Sequence, residues 1–129
     1  MKEISIKTNK KSEMIDITSI VEEEVQKGKI QQGMCFLYVP HTTAGLTINE
    51  NTDPNVPSDI LRALDKLVPW AGDYSHLEGN SAAHIKSTIF GVSKSIFIKN
   101  GQINLGQWQS IFFCEFDGPR QRKLYIKIE

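Results

Sequence analysis

The sequence is poor in the residue types that most often mark a chemical site. Its 129 residues include three histidines and two cysteines, and Lys plus Arg (15) equals Asp plus Glu (15), so the formal net charge at pH 7 is zero. A balanced chain has no overall field that would draw it onto nucleic acid or an anionic membrane. We therefore expect neither partner, and any charged ligand has to be held by a local group of side chains.

Long apolar stretches are also missing. The N-terminal MKEISIKTNKK has no signal-peptide core, and no later run is long enough to span a bilayer. The expected location is the cytoplasm. Cys35 and Cys114 each lie in an apolar, strand-like run, where a reduced and buried cysteine is more usual than a disulfide in that compartment.

Two catalytic motifs are absent as well. No HExxH spacing occurs, which excludes the helical zinc-protease arrangement, and no Gly-x-Ser-x-Gly elbow occurs. Thr42 and Ser75 are each next to a histidine, but adjacency in sequence does not provide the geometry of a nucleophilic triad. A triad therefore stays only a rival interpretation of this chemistry.

Strand patterns outnumber helical ones. Alternating or short apolar runs predict strands over 2–8, 14–17, 34–39, 46–50, 93–99, 102–105, 108–116 and 123–129. The run 34–39 is apolar throughout, so we expect a central strand buried on both faces. Asn100-Gly101 and the turn Asp117-Gly118-Pro119 each predict a hairpin between the strands that flank them.

Three segments have helical spacing, over 19–27, 57–68 and 81–90. Ser19 and Glu22 form a capping box in the first, and Ala82, Ile85 and Ile89 form the expected buried stripe of the third. Because most connections are short, antiparallel pairing is favoured over a doubly wound parallel sheet. We expect one α+β domain over residues 1–129, an antiparallel β-sandwich of about eight strands with about three helices.

All three histidines lie in two stretches, HTTAGLTINENTDPNVPSD (41–59) and SHLEGNSAAHIK (75–86). Imidazole nitrogens suit zinc and other borderline divalent ions, and three histidines with one open position describe a catalytic zinc site. Glu78 would lie on the same side of an extended segment as His76 and could complete or orient the site. The alternative is three unrelated surface or core histidines. The candidate metal ligands are His41, His76 and His84.

Two basic side chains are candidates for binding phosphate. Lys86 shares the predicted helix of His84 and would act as a point charge, whereas Arg120 in the turn DGPR offers a planar fork. The first turn of that helix also presents free backbone N–H groups to an anion. Trp108 is either a core residue or part of a site wall.

Three segments together resemble the small YjbQ family: HTTAGLTINEN, YSHLEGNSAAHIK and GQINLGQWQSIFFCEFDGPR, in this order and over nearly the whole chain. The resemblance implies a trimeric, sandwich-like α+β fold with a polar pocket near the subunit interface and a metal held by histidines. The pocket positions that it implies are His41, Asn49, Glu50, Asn51, Asp53, His76, Glu78, His84, Lys86 and Gln109.

From this resemblance we expect a thiamine-phosphate synthase-like transferase, which condenses an aminopyrimidine diphosphate with a thiazole phosphate and releases pyrophosphate. A divalent metal, Zn or Mg, would be its cofactor, a small phosphorylated metabolite its ligand, and two further copies its partners in a homotrimer. A metal-containing binding module without turnover and a metal-assisted hydrolase are the alternatives. The expected catalytic residues are His41, His84, Glu50 and Asp53. The expected substrate-binding residues are Asn49, Asn51, Lys86, Gln109 and Arg120.

Overall fold

Eight strands and three helices make up the chain in the computed structural model, which describes residues 1–129. The strands are β1 (Lys2–Lys7), β2 (Glu13–Asp16), β3 (Gln32–Tyr38), β4 (Ala44–Glu50), β5 (Ser93–Lys99), β6 (Gln102–Ile103), β7 (Gln109–Glu115) and β8 (Gln121–Ile128). The helices are α1 (Thr18–Gly28), α2 (Asn55–Leu67) and α3 (Ser81–Phe90). The predicted α+β fold is confirmed.

The strands form two sheets that pack face to face. The large sheet has the order β1-β8-β3-β5-β6 and the small sheet the order β2-β7-β4, and every pair is antiparallel. Leu37 and Leu124 from the large sheet share one core with Leu46 and Phe113 from the small sheet. Val21 of α1 joins the same cluster, so α1 packs on the sandwich through its apolar stripe.

The prediction for β3 is wrong in one respect, because only one of its faces is buried. Cys35 and Leu37 point into the core, whereas Phe36 and Tyr38 are 39% and 49% exposed. The cause is the architecture: a sandwich covers one face of each sheet, and the outer face of the large sheet is left open. The apolar run therefore provides an aromatic outer surface, which Phe97 of β5 extends.

The predicted second hairpin is also wrong. β7 pairs with β2 and β4 in the small sheet, and β8 pairs with β1 and β3 in the large sheet, so the turn after β7 carries the chain from one sheet to the other. The N-terminal strands are divided in the same way, with β1 in the large sheet and β2 in the small one. In contrast, Asn100-Gly101 joins β5 and β6 as predicted, with φ values of 53° and 75°.

The predicted bounds of α3 are confirmed, but its buried face is not the predicted one. Ala82 is buried as expected, whereas Ile85 and Ile89 are 38% and 60% exposed. The buried residues of this helix are Ala82, Ala83, Lys86 and Ser87. The helix is therefore turned so that its small residues, and not its isoleucines, meet the sheet.

Close approach between α3 and β4 explains this rotation. A Cβ atom on Gly45 would lie 2.7 Å from the carbonyl oxygen of Gly91, so the backbones of the strand and the helix end are nearly in contact. Ser87 fits the narrow space and donates a hydrogen bond to the carbonyl oxygen of Ala44 at 2.7 Å. The geometric fit at this contact outweighs the apolar area that the isoleucines would have buried.

The capping box predicted for α1 does not form. The helix begins at Thr18 without a side-chain cap, and the Glu22 carboxylate instead accepts a hydrogen bond from the Ile103 N–H of β6 at 3.3 Å. Both cysteines are free and buried, as predicted. Burial, with a smaller contribution from the charge of Glu22, raises the pKa of the Cys35 thiol to about 11.

Candidate functional site

A cavity of about 480 Å³ lies where the end of β3, the loop before α3 and the start of β8 meet, and no hydrophobic residue lines it. Glu78 is its only carboxylate, and Asn80 adds an amide. Three histidines and two arginines complete its charged and titratable lining: His41, His76, His84, Arg120 and Arg122. We call it the polar cavity. The histidines that are divided between two stretches of sequence therefore meet at one site.

Two further cavities adjoin the polar cavity at His84. A groove of about 760 Å³ runs past Tyr38, Val39 and Val92 and shares His41 and His84 with the polar cavity. A second cavity, of about 520 Å³, lies between α3 and its preceding loop and shares His76 and His84 with the polar cavity. The combined concave surface is large enough for a ligand that has both a charged and an organic part.

His41 lies just beyond β3, where the ladder between β3 and β8 ends. The register sets Tyr38 opposite Tyr125, and its continuation would set Pro40 opposite Lys123. Nε2 of His41 instead accepts a hydrogen bond from the Lys123 N–H at 2.8 Å. Because an amide N–H can only donate, Nε2 is unprotonated and the hydrogen of the neutral ring is on Nδ1.

The surroundings of His41 favour this neutral ring. Partial burial lowers the pKa of His41 below its ordinary value, and the positive charges of Arg122, Arg120 and Lys123 lower it further, while Glu115 opposes them. The imidazole is therefore uncharged at pH 7.

A buried ion pair between Arg122 and Glu115 forms the inner wall of the polar cavity. Arg122 donates from Nε to Oε1 of Glu115 at 2.8 Å and from Nη2 to Oε2, and Nη2 also donates to the Thr43 hydroxyl at 2.8 Å. Nη1 has no hydrogen-bond partner in the protein. The residue is 3% exposed, so the guanidinium is fixed by its neighbours with one end free.

The carboxylate of Glu115 is stabilised in its charged form. Burial alone would raise its pKa, but hydrogen bonds from Arg122, from the Asp117 N–H and from the Thr8 hydroxyl outweigh that effect. The pKa of Glu115 therefore lies below its ordinary value, and the ion pair persists at neutral pH.

Asn80 ties the loop before α3 to the turn before β8. It occupies the position before the helix but does not cap it with its side chain. Its Nδ2 donates instead to Oε2 of Glu78 at 2.8 Å and to Oδ2 of Asp117 at 2.9 Å. Arg120 donates to the same Asp117 oxygen at 3.0 Å. The position of Arg120 at the rim of the polar cavity is thus set by a network of opposite charges.

His76 and His84 face each other across the polar cavity. Their rings meet edge to face, with centroids 5.4 Å apart and an interplanar angle of 82°. Two imidazoles bound to one zinc ion at about 2.0–2.1 Å have centroids about 5 Å apart, so this pair has a spacing that fits a shared ion.

A complete three-histidine metal site is not formed within one chain. No group of three or more His, Cys, Asp or Glu side chains is arranged to hold an ion. His41 in particular has its Nε2 lone pair engaged by Lys123. A divalent metal stays a prediction of the resemblance.

Lys86 is not at the polar cavity. It is buried, and its Nζ donates to Oδ1 of Asp65 on α2 at 2.6 Å. It lies two positions after His84, which places the two side chains on different sides of the helix. Its charge is therefore directed at α2 and away from the histidines.

The remaining predicted residues lie at the far end of β4, about 20 Å from Ala44 at 3.4 Å per residue. Glu50 faces Gln109 in the ladder between β4 and β7. Asn51 donates to Asp16 at 2.9 Å, and the Asp53 carboxylate accepts the N–H of Asn55 in a turn. The structure divides the predicted site residues into two groups, one at each end of the small sheet, with Asn49 in the second group.

Comparison with known proteins gives the family. The model of the UPF0047 protein YjbQ-like family matches residues 2–129. The chain belongs to the YjbQ family. It is 54% identical to a UPF0047 protein of Methanocaldococcus jannaschii over 123 residues, which cover 95% of this chain and 89% of that protein. It is 52% identical to the UPF0047 protein YugU of Bacillus subtilis over 129 residues, 99% of this chain and 98% of that protein.

A solved structure has the same fold. The crystal structure of a YjbQ/UPF0047 family protein from Clostridium acetobutylicum matches with a TM-score of 0.98 and 52% identity, and the match covers 100% of both chains. The fold expected for a YjbQ protein is therefore present. None of the three helices of this YjbQ chain has the length and apolar character needed to cross a membrane.

Sequence reasoning missed the two most deeply buried charged residues of this YjbQ site, Arg122 and Glu115. A signal for Arg122 was present, because β8 alternates and Leu124 and Ile126 share its inward face. An arginine at an inward position requires a buried acidic partner. The identity of that partner could not be read from the alternation, since Glu115 belongs to the other sheet.

Proposed function

We propose that the polar cavity binds the phosphoryl groups of a small metabolite, and that the protein is a transferase of the thiamine-phosphate synthase type. The observation that carries the proposal is the guanidinium of Arg122, which Glu115 holds in place while Nη1 stays without a protein partner in a cavity of imidazoles. A rigid, partly free guanidinium is suited to phosphate oxygens.

The proposed reaction needs little acid–base chemistry. The bond between the exocyclic carbon of the aminopyrimidine and the diphosphate oxygen breaks, and its electron pair leaves with pyrophosphate. The lone pair of the thiazole nitrogen then forms the new bond to that carbon. The protein has to position the two substrates and to neutralise the negative charge on the pyrophosphate leaving group. Arg122, Arg120 and the imidazole N–H groups are the side chains for this role.

The adjoining groove suits the organic part of such a substrate. Tyr38, Val39 and Val92 give it apolar surface, and it opens into the polar cavity between His41 and His84. A substrate whose heteroaromatic ring lies in the groove would have its phosphates beside the two arginines. His76 and His84 are the side chains that would hold a divalent ion, zinc or magnesium, and such an ion would supply further positive charge to the phosphates.

We also propose that the protein works as a homotrimer, in the cytoplasm. The outer face of the large sheet exposes Phe36, Tyr38 and Phe97, an apolar surface of the kind that subunit interfaces cover. The residues around Glu50 and Gln109 are remote from the histidines of their own chain. Contact with a second copy is the arrangement that would bring the two groups of residues together.

Turnover is the test of the proposed function. Purified protein is incubated with the aminopyrimidine diphosphate, the thiazole phosphate and Mg²⁺ or Zn²⁺, and thiamine phosphate is measured against a His84→Ala control. We expect product formation that exceeds the control. Absence of that excess contradicts the transferase. Tight binding of the precursors without product indicates a binding module, and phosphate release from one precursor alone indicates a hydrolase.

A further inference from the structure

We propose that His41 serves the phosphate site as a fixed, neutral hydrogen-bond donor through Nδ1–H, with its tautomer set by the main-chain N–H of Lys123. In this role it is neither a metal ligand nor a proton acceptor. The identity of the ligand that accepts this hydrogen bond rests on the proposed function. The tautomer and the donor role are independent of any particular substrate.

The strand ladder between β3 and β8 ends at Tyr38 and Tyr125. Beyond Tyr38 the chain turns away at Pro40, and β8 is left with an N–H at Lys123 that has no strand partner on that side. The ring of His41 takes the place of the missing carbonyl and accepts this N–H at 2.8 Å. Lys123 is exposed, and the hydrogen bond fixes which nitrogen of the ring faces its main-chain N–H.

This hydrogen bond opposes the two other roles. Metal binding through Nε2 would displace the Lys123 N–H and break the contact that orients the ring. Metal binding through Nδ1 would move the ring hydrogen to Nε2, where it would face the N–H of Lys123 as donor against donor. Proton uptake at neutral pH is opposed for the same reason, because the lone pair of Nε2 already accepts a hydrogen bond.

The free nitrogen of the ring is accessible. Among residues that are not exposed, only two side-chain nitrogen or oxygen atoms are both fully enclosed and without a hydrogen-bond partner. They are Oε1 of Glu22 and Oδ1 of Asn80. Nδ1 of His41 and Nη1 of Arg122 also have no hydrogen-bond partner in the protein. Since neither atom is among the fully enclosed ones, both are accessible to solvent. Both residues line the polar cavity.

Two donors of different kinds are therefore available to a ligand in the polar cavity. Arg122 supplies a charged N–H, and His41 supplies a neutral N–H that is present without uptake of a proton. Both depend on consecutive residues of β8, the side chain of residue 122 and the main chain of residue 123. This arrangement suits a phosphoryl oxygen, which accepts several hydrogen bonds at once.

Nitrogen-15 NMR of the histidine-labelled wild-type protein tests the assignment without reference to activity. Spectra of His41→Asn, His76→Gln and His84→Gln variants identify the three rings. For His41 we expect a protonated Nδ1 and an unprotonated Nε2, unchanged when Zn²⁺ is added. A protonated Nε2, or a zinc-dependent shift of either His41 nitrogen, would overturn the proposal.

Calorimetric titration with inorganic pyrophosphate, in buffer with EDTA, tests the donor role. An asparagine at position 41 keeps an N–H donor at the δ position, whereas a leucine, which is of similar size, has no donor there. We expect His41→Leu to weaken binding about tenfold and His41→Asn to weaken it about threefold or less, since one hydrogen bond to a charged group is at stake. Lys127→Ala, an exposed change on the same strand, is the matched control and should bind as the wild type does.

Equal losses in the leucine and asparagine variants would overturn the donor role. Failure of the wild-type protein to bind pyrophosphate both in EDTA and in the presence of Mg²⁺ or Zn²⁺ would overturn the proposed function, and with it the ligand assigned to Nδ1. A protonated Nε2 in a protein that binds pyrophosphate would overturn the role of His41 alone. The two proposals thus fail by different measurements.

Discussion

Arg122 and Glu115 form an ion pair in which the two side chains are 3% and 0% exposed. The pair joins β8 of the large sheet to β7 of the small sheet, at the edge of the polar cavity. The pair has a structural role, because it is buried and connects the two sheets. The free Nη1 of Arg122 gives the pair a second role at the polar cavity. The two roles can be separated by experiment.

Removal of one charge from this pair should destabilise the protein strongly. Glu115→Gln leaves the guanidinium of Arg122 buried without a counter-ion, and we expect the free energy of unfolding to fall by about 3–5 kcal/mol. Urea denaturation measures this loss. Glu3→Gln, which removes the acid of an exposed pair with Lys123, is the control and should change the free energy by less than about 1 kcal/mol.

The double variant Glu115→Leu with Arg122→Met separates structure from function. Replacement of a buried pair by apolar side chains of similar size is often neutral for stability, so we expect much of the loss to be recovered. Pyrophosphate binding should not recover, because the guanidinium is gone. A double variant that binds like the wild type would show that Arg122 has only a structural role.

Stability should fall as the pH is lowered, in two steps. In the folded state the pKa of His41 and that of Glu115 both lie below their ordinary values of 6.5 and 4.5. The unfolded chain therefore binds protons first, and each group contributes stability that is present above its unfolded pKa and is lost as pH falls through the folded pKa. Urea denaturation at a series of pH values measures both steps.

The upper of these steps should belong to His41. We expect His41→Asn to abolish the loss of stability that begins near pH 6.5 and to leave the loss below pH 4.5 in place. A wild-type protein whose stability is constant between pH 7 and pH 5 would contradict the description of His41.

Substitution of Lys86 should leave ligand binding intact. Its ammonium group is paired with Asp65 on α2 and does not reach the polar cavity. We expect Lys86→Met to change the affinity for pyrophosphate by less than about twofold, whereas His84→Gln should weaken it about tenfold. A tenfold loss in Lys86→Met would restore the sequence-based assignment of this lysine to phosphate binding.

The aromatic outer face of the large sheet should control the oligomeric state. Phe97 is 66% exposed, and a charge at this position would be buried in an interface that covers the face. We expect light scattering to give a trimer for the wild type and for Leu67→Glu, a change of an exposed leucine on α2, but a monomer for Phe97→Glu. A trimer that survives Phe97→Glu would place the interface elsewhere.

The elements that local chemistry determines were predicted well. Asn100-Gly101 requires positive φ values at both residues, which asparagine and glycine tolerate, and the hairpin forms there. The close spacing of His76 and His84 around the start of a helix also led us to expect that they lie close together, and their ring centroids are 5.4 Å apart. In these cases the decisive interactions lie within about ten residues of sequence.

The elements that depend on distant contacts were predicted poorly. The turn at Asp117-Gly118 has the composition of a hairpin, yet the partners of the two flanking strands lie in different sheets, and composition carries no information on that choice. The buried face of α3 is set by the close approach of the helix end to Gly45, which lies 46 residues before Gly91 in the sequence. The ion pair of Arg122 with Glu115 likewise exists only once the two sheets are stacked.

The most direct test of the phosphate site compares two arginines in matched surroundings. Arg120 and Arg62 are both exposed and each pairs with an aspartate three residues earlier, but only Arg120 lines the polar cavity. Calorimetric titration of pyrophosphate into the wild type, Arg120→Gln and Arg62→Gln should give equal affinities for the wild type and Arg62→Gln and an affinity about tenfold weaker for Arg120→Gln. No binding by the wild type, or equal affinities for all three proteins, would contradict a phosphate site in the polar cavity.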